Sequence, residues 1–387
     1  MKHILIFSAN YLPNTGGVER YVFNLSKELS SRGNKITIVT SNVFNLKDYE
    51  LLSDNIEIFR FPCINLLDGR FPVLKFWSKK FKELNKQLIK RQNDLTIVNT
   101  RFYLHSLYGA KIGKKYSKKV IAIEHGSAHL TVNSKFWDFC GHIFEHFITS
   151  LIKTKIKDFY GVSTKCNEWL KHFNIKAKGV TYNAVDIDDI IKIKKANQKF
   201  DLQACGISST DILVAFSGRL VLEKGILVLI NSIRLLNEKY KRNDIHLLVA
   251  GNGPLEMECK KAANSNVHFL GKLPFEQVVS ALSVSSIFCL PTIYPEGFPT
   301  SILEAAVLEN YIIVTPTSGI DELILDSSYG TVLSANPTSE EIAEAILNIA
   351  DNSKNQKIAC KKCLDRVKSS FTWKQTADKI ESILNQN

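Results

Sequence analysis

The chain has 387 residues, too many for a single small module and enough for two domains of ordinary size. Apolar residues make up 45% and charged residues 23%, a balance that buries a sizeable core and excludes a disordered or collagen-like chain. The 50 Lys+Arg against 38 Asp+Glu leave a net charge of +12, which points to an anionic partner such as a nucleotide, a nucleic acid or a membrane surface.

The excess is one-sided. Residues 1–180 carry 29 Lys+Arg and 14 Asp+Glu, or +15, and residues 181–387 carry 21 and 24, or −3. The first residues hold one short apolar run followed by turn residues, too brief for a signal peptide, so a cytoplasmic location is expected. Short β-branched runs then alternate with longer amphipathic segments, the pattern of parallel strands joined by crossover helices. Strands are expected at 4–8, 35–41, 56–59, 95–99, 120–124, 159–162 and 180–182, and again at 212–217, 245–250, 267–270, 287–290, 311–315 and 331–333. The rhythm breaks between Tyr182 and Asp211. The expected organisation is α/β: a Rossmann-like half over 1–183, a second over 184–370, and a terminal helix over 371–387 packing back toward the first. Open α/β sheets bind ligands at the carboxyl ends of their strands, so a substrate cleft is expected between the halves.

No apolar run reaches the length of a spanning helix. The nearest, 136–152, is interrupted by Asp138, His142, Glu145 and His146 and is expected as an aromatic helix facing the core or a groove. Eight cysteines are scattered through the chain, and the Cys360–Cys363 pair lacks a second pair or nearby histidine, so no metal site is expected.

Several segments carry chemistry. After the first strand, Gly16-Gly17-Val18-Glu19-Arg20 opens a helical pattern with Val22, Leu25 and Leu29. Glycines before a helix let the backbone approach an anion. A nicotinamide-binding GxGxxG is missing. The tract Ser217 to Gly225 places Arg219 and Lys224 between a strand and a helix start, a setting suited to a diphosphate. The alternative is that Lys224 and Glu223 are solvated loop charges. The tract Pro295 to Ala306 places Glu296 in a Pro/Gly turn and Glu304 in the first turn of a helix. Capping-box spacing from Ser301 accounts for Glu304 but leaves Glu296 unexplained. Gly251-Asn252-Gly253-Pro254 and Val267 to Gly271 belong to the same half.

Together, GGVER, the Glu124-His125-Gly126 tract, SGRLVLEKG, GNGP, the Glu296–Glu304 element and Asp321-Glu322 resemble the glycosyltransferase family 4 enzymes over nearly the whole chain. That resemblance implies a GT-B fold and transfer of a hexose or N-acetylhexosamine from a nucleotide diphosphate sugar, UDP-linked rather than GDP-linked, with retention and without an obligatory metal or other cofactor. On the family pattern Arg219 and Lys224 neutralise the leaving diphosphate and Glu304 meets the ribose. Glu296, with Gly297, Phe298, Pro299 and Thr300, meets the sugar. Gly16 and Gly17 approach the donor phosphates or the acceptor, Gly251 belongs to the donor site, His125 orients the reacting carbon, and His268, Phe269 and Leu270 lie along the base. A core histidine is the other reading of His125. The process expected is cell-surface polysaccharide, lipopolysaccharide or glycolipid synthesis with a glycan or lipid-linked acceptor, and the positive charge of the first half suits an acceptor carried on a polyprenyl diphosphate at the cytoplasmic face of the membrane.

The resemblance has departures. Ser318-Gly319-Ile320-Asp321-Glu322 lacks the glycine pair often found there, and Asp186-Ile187-Asp188 matches a D-x-D metal motif, although Asp188 and Asp189 also suit a helix start. Residues 70–91 carry eight Lys+Arg and one Glu, with Leu74, Trp77, Phe81, Leu84 and Leu88 at helical spacing. This segment fits a peripheral contact with an anionic membrane and, equally, a helix docked on the first sheet. Lys111 to Lys119 adds five lysines. A GT-B sugar-nucleotide epimerase is the enzymatic rival. A nucleic-acid-binding protein is the non-enzymatic one, but no recognition helix or aromatic–basic motif supports it, so no nucleic-acid partner is expected.

Overall fold

The computed structural model describes every residue except 15, 68, 130, 132–133, 197–199, 318 and 387. It divides into two compact units, Met1–Asn183 with Trp373–Asn387, and Ala184–Thr372.

The first unit runs β1 (His3–Phe7), α1 (Gly17–Ser31), β2 (Lys35–Ser41), β3 (Tyr49–Ser53), β4 (Ile56–Phe61), β5 (Cys63–Leu66), β6 (Phe71–Leu74), α2 (Lys79–Leu88), β7 (Asn93–Asn99), α3 (Leu104–Tyr116), β8 (Ser117–Glu124), α4 (Lys135–Lys153), β9 (Asp158–Gly161), α5 (Thr164–Lys171) and β10 (Gly179–Val180). Its sheet has the order β10-β9-β8-β7-β1-β2-β4-β3 and is parallel except for the β3–β4 pair. The central strands read as continuous apolar runs because helices cover both faces. The chain order reverses between β1 and β7, so the loops after these strands diverge there and leave room for a site.

The second unit contains α6 (Ile187–Ala196), β11 (Ile212–Ser217), α7 (Ile226–Glu238), β12 (Ile245–Ala250), α8 (Glu256–Ala262), β13 (Val267–Gly271), α9 (Phe275–Val284), β14 (Ile287–Leu290), α10 (Thr300–Val307), β15 (Tyr311–Val314), β16 (Thr331–Val332), α11 (Ser339–Ala350) and α12 (Ser353–Ser370). Its strands are all parallel, in the order β13-β12-β11-β14-β15-β16. This is the doubly wound Rossmann order, with its switch point between β11 and β14. The last helix, α13 (Trp373–Asn385), is part of the first unit: Arg32 binds Asp378 at 2.7 Å and Glu381 at 2.9 Å, and Thr376 donates to the Tyr182 carbonyl at 2.9 Å.

The structure corrects several expectations. Strand β3 and the hairpin β5–β6 were not foreseen: the residues of β3 and β5 are half or fully exposed, and β6, with Pro72 and Leu74 buried, lies inside the segment whose apolar spacing reads as helical. Segment 70–91 is not one helix: Leu74 lies in β6, and α2 starts only after its Ser78 cap, whose hydroxyl accepts from the Phe81 N–H at 3.1 Å. Leu74, Phe81, Leu84 and Leu88 are buried in the core with Phe61 and Tyr108, so of the apolar stripe only Trp77 is exposed. Helix α4 differs in the opposite sense. It buries Glu145, Ile148, Thr149 and Ile152 but exposes Phe136, Trp137, Phe139, Ile143 and Phe147. Asp186, of the D-x-D match, caps α6: its carboxylate accepts from the Asp189 N–H at 3.0 Å, as a helix start requires.

One core residue makes the first unit acid-sensitive. His105 on α3 is completely buried against Phe7, and among the described residues neither ring nitrogen has a hydrogen-bond partner. Burial pushes its pKa down to about 3. Between that value and the unfolded value near 6.5 the unfolded chain binds a proton that the folded chain refuses, so stability is whole above pH 6.5 and falls as pH drops below it. Replacing His105 by Leu should remove about 1.4 kcal/mol of the stability lost between pH 7.5 and 5.5. Urea unfolding of both proteins at the two pH values checks this, and equal losses would contradict it.

Candidate active site

At the switch point of the second unit, the loops after β11 and β14 are held side by side. The Glu223 carbonyl accepts both the Thr292 hydroxyl at 2.8 Å and the Ile293 N–H at 2.9 Å. Gly225 permits this approach, and Gly251, after β12, permits a second one against the loop after β11. A Cβ on Gly225 (φ +67°) would overlap the Pro291 carbonyl, and one on Gly251 (φ +145°) would overlap the Gly218 carbonyl. Lys224 closes a 3-10 turn over Leu222–Lys224, and Gly225 then opens α7, so the ammonium sits beside a helix N-terminus. It is not a loose solvated charge: its Nζ pairs with Glu296 Oε1 at 2.5 Å, bridging the two loops. Arg219 is exposed, and among the described residues its guanidinium has no side-chain partner. An unengaged guanidinium on the same loop as an anchored ammonium, just before a helix start, is a setting for a multiply charged anion.

Gly297, Phe298 and Pro299 are buried beneath this loop, and Thr300 begins α10. The capping box expected from Ser301 is absent. Pro299 occupies the cap position without a side-chain bond, so Ser301 falls inside the helix, and Glu304 is in the second turn, not the first. Glu304 is buried, so a capping role does not account for its carboxylate. Of the 318–322 tract, Ser318 lies outside the described residues, and Ile320–Glu322 form a 3-10 turn.

Strand β13 lies at the edge of the sheet and, among the described residues, pairs only with β12, so the other edge of its backbone faces no strand. Phe269 and Leu270 are half-buried along it. The His268 ring is engaged: its Nε2 lies 3.0 Å from His246 Nδ1, and His246 Nε2 lies 3.3 Å from Asp211. Burial, with His246 nearby, lowers the His268 pKa. His268 can therefore serve a ligand through its backbone more readily than through its ring.

In the first unit, Gly16 caps α1 and Gly17 begins it, with nothing near the place a Gly17 Cβ would take. Glu19 folds back beneath them, is buried, and accepts from Asn14 Nδ2 at 2.9 Å; burial raises its carboxyl above the usual range. His125, at the end of β8, is half-buried, packs edge-on against Tyr21 at 4.8 Å, and places Nε2 2.9 Å from Asn99 Oδ1. The Asn99 amide donates its N–H to the Phe7 carbonyl at 3.1 Å, so its oxygen must accept, and the His125 proton is on Nε2. Burial holds the His125 pKa at about 3. The imidazole is neutral at physiological pH, with Nδ1 as an acceptor.

Beneath His125 lies a buried ion network. Arg101, 1% exposed, donates to Glu124 Oε2 and Glu145 Oε1, each at 2.5 Å. The other oxygen of Glu124 accepts the N–H groups of His125 and Gly126, each at 3.1 Å. The Arg101 guanidinium also lies over the Phe173 ring at 3.7 Å. Thr100, between Asn99 and Arg101, is a β-branched residue at φ +59°, a conformation costing about 1–3 kcal/mol. It aims its two neighbours into this layer. Asn99 and Arg101 were missed from the sequence. The available signal was a pair of polar residues at the carboxyl end of an expected strand, where open sheets place their ligand groups.

Residues 15–189 match the family described as Glycosyltransferase Family 4, and residues 197–363 match the one described as Glycosyl transferases group 1. An uncharacterised glycosyltransferase of Methanocaldococcus jannaschii is 28% identical across 99% of this chain and 98% of its own length. One component of the human phosphatidylinositol N-acetylglucosaminyltransferase is 24% identical across 99% of this chain and 76% of its own. Among solved structures, Anabaena HepE in complex with UDP and glucose superimposes with a TM-score of 0.72, covering 99% of each chain at 14% identity.

Removing the buried guanidinium leaves two carboxylates facing each other without a counter-charge. Arg101→Leu should destabilise the first unit by about 3–5 kcal/mol. Lys118→Ala, which breaks an exposed pair with Asp94, should change stability by less than about 1 kcal/mol. Denaturant unfolding monitored by intrinsic fluorescence distinguishes the two, and equal small effects would mean that the network carries no structural weight.

Proposed function

This chain belongs to the glycosyltransferases of family 4 type, with GT-B architecture, and from that premise we propose that it moves a hexosyl or N-acetylhexosaminyl group from a UDP-sugar to a lipid-linked or glycan acceptor, with retention at the anomeric carbon. The observation that carries this reading is the anchored Lys224 on one loop with the unengaged Arg219 at the switch point of the second unit.

In the proposed reaction, the bond from the anomeric carbon to the diphosphate oxygen breaks while a bond to the acceptor hydroxyl forms on the same face. The acceptor proton passes to the departing phosphate oxygen, and UDP leaves. Negative charge grows on the diphosphate, where Arg219, Lys224 and the positive end of α7 stabilise it. Glu296 holds Lys224 in place, since an ammonium fixed before the reaction needs no reorganisation as charge develops. Glu296 and the N–H groups of Gly297, Phe298 and Thr300 would meet the sugar hydroxyls, and Glu304 the ribose. The backbone of His268 to Leu270 would run along the base, Gly251 would let that loop approach the donor, and Gly16 and Gly17 would present the backbone of the first unit. His125 Nδ1, neutral and fixed in tautomer by Asn99, would accept a hydrogen bond from a sugar hydroxyl. Positioning and electrostatics do the work, with no obligatory metal.

A membrane-held acceptor fits the first unit. No helix among the described residues is long and apolar enough to cross a membrane. The exposed Phe136, Trp137, Phe139, Ile143 and Phe147 of α4, with the lysines of this basic half, offer the mixed aromatic and cationic surface of a peripheral contact. The name of the human relative pairs an N-acetylglucosaminyl group with a phospholipid acceptor, and the solved Anabaena protein holds UDP and glucose, both in keeping with this proposal.

Screening UDP- and GDP-sugars for thermal stabilisation and slow donor hydrolysis tests the donor. Arg219→Ala should lower kcat/KM by about 10–150-fold, the loss of one charge-assisted contact, and Glu304→Ala should weaken nucleotide affinity. Unchanged donor affinity in both variants would refute the site. For the acceptor side, vesicles containing phosphatidylglycerol should sediment the protein, less so in high salt, and the Phe139→Ser/Phe147→Ser variant should sediment less. Equal sedimentation of that variant would remove α4 from the proposal.

A further inference from the structure

Three histidines of the first unit play no part in the reaction proposed above. His129 follows β8, His146 lies on α4, and His172 caps the carboxyl end of α5. Each offers one ring nitrogen, and the three nitrogens lie within 4.8 Å of one another. The Nε2 atoms of His146 and His172 are 3.2 Å apart. Two imidazoles on one tetrahedral zinc ion, with Zn–N distances of 2.0–2.1 Å, hold their nitrogens about 3.3 Å apart. The pair therefore already has the spacing that a shared ion requires.

The surroundings have the form of a ligand's supporting shell. His129 Nδ1 lies 2.5 Å from Glu145 Oε2, and the other oxygen of Glu145 is held by Arg101. A carboxylate on one imidazole nitrogen fixes the tautomer and the ring and makes the opposite nitrogen a better ligand. On His129 that nitrogen is Nε2. The His172 ring lies flat on Trp169, with an interplanar angle of 6° and centroids 4.9 Å apart, and the His129 ring stacks on His142 at 4.0 Å. Packing thus restrains two of the three rings before any ion arrives, and the buried Arg101–Glu145 pair anchors one of them to the core.

We propose that His129, His146 and His172 bind one Zn2+ ion, with water at a fourth position. Three neutral imidazoles suit zinc and its neighbours and exclude magnesium and calcium, which take oxygen ligands. The ion would tie the segment just after His125 to α4 and α5. Its role is positional, and no step of the sugar transfer passes through it.

The test uses the full chain without a polyhistidine tag, stripped with a chelator and titrated with Zn2+ by calorimetry. One ion should bind per chain and raise the melting temperature. Cobalt in its place should give the intense visible bands of a tetrahedral nitrogen site. His146→Ala and His172→Ala should each abolish the 1:1 isotherm, Glu145→Gln should weaken affinity by about 10–100-fold, and His3→Gln should change nothing. Far-UV circular dichroism establishes that each variant is folded. Unchanged stoichiometry in the folded His146→Ala and His172→Ala proteins, or the spectrum of hydrated cobalt, overturns the site and leaves a plain histidine–histidine hydrogen bond. Neither result bears on the sugar-transfer reading.

Discussion

A fully buried guanidinium cannot remain without counter-charge, and the first unit is arranged around that requirement. Arg101 leaves β7 through a left-handed Thr100 and meets Glu124 at the end of β8 and Glu145 on α4, so a single side chain joins two parallel strands and a helix. Glu124 passes the constraint on, because its second oxygen holds the N–H groups of His125 and Gly126. Through Asn99 the same layer sets the tautomer of His125. Two carboxylates against one guanidinium leave a surplus of negative charge, and burial together with Glu124 raises the Glu145 carboxyl despite the pull of Arg101.

The second unit solves a different problem. Its anion-binding candidates lie on two loops that diverge at the reversal of strand order, and loops are the least restrained part of an α/β fold. The Glu223 carbonyl, the close approach at Gly225 and the Lys224–Glu296 pair join them. One cation is thereby fixed, while Arg219 on the same loop has no side-chain partner among the described residues. In the proposed transfer that division suits a leaving group whose charge rises during reaction, since stabilisation is greatest from charges already in place.

The basic character of the first half acquires a location as well. The apolar stripe of α2 is spent on the core, where Phe81, Leu84 and Leu88 pack with Phe61 and Tyr108, and its lysines are left on the surface. Exposed aromatics are instead concentrated on α4, whose opposite face carries Glu145 to the Arg101 network. One helix therefore joins the buried ion layer to the surface most suited to a lipid interface.

What the sequence determined by itself is the alternation of strands and helices, the position of the break after Tyr182, and the candidate tracts around Gly16, His125, Arg219, Glu296 and Glu304 that carry the family resemblance. These are local signals: β-branched runs, glycine turns and motif spacing survive in one dimension. Tertiary structure decided which amphipathic face was consumed. Helical spacing in 70–91 reports an apolar stripe but not what covers it, and it could not show that Leu74 belongs to a strand. It also decided that Pro299, not a serine, opens α10, and that Lys224 pairs with Glu296 across 72 residues of sequence. Asn99, Arg101, Glu145 and the three clustered histidines share no spacing at all. They meet because β7 and β8 bring Asn99, Arg101 and His129 to their carboxyl ends while α4 and α5 supply Glu145, His146 and His172, and that convergence is a property of the fold.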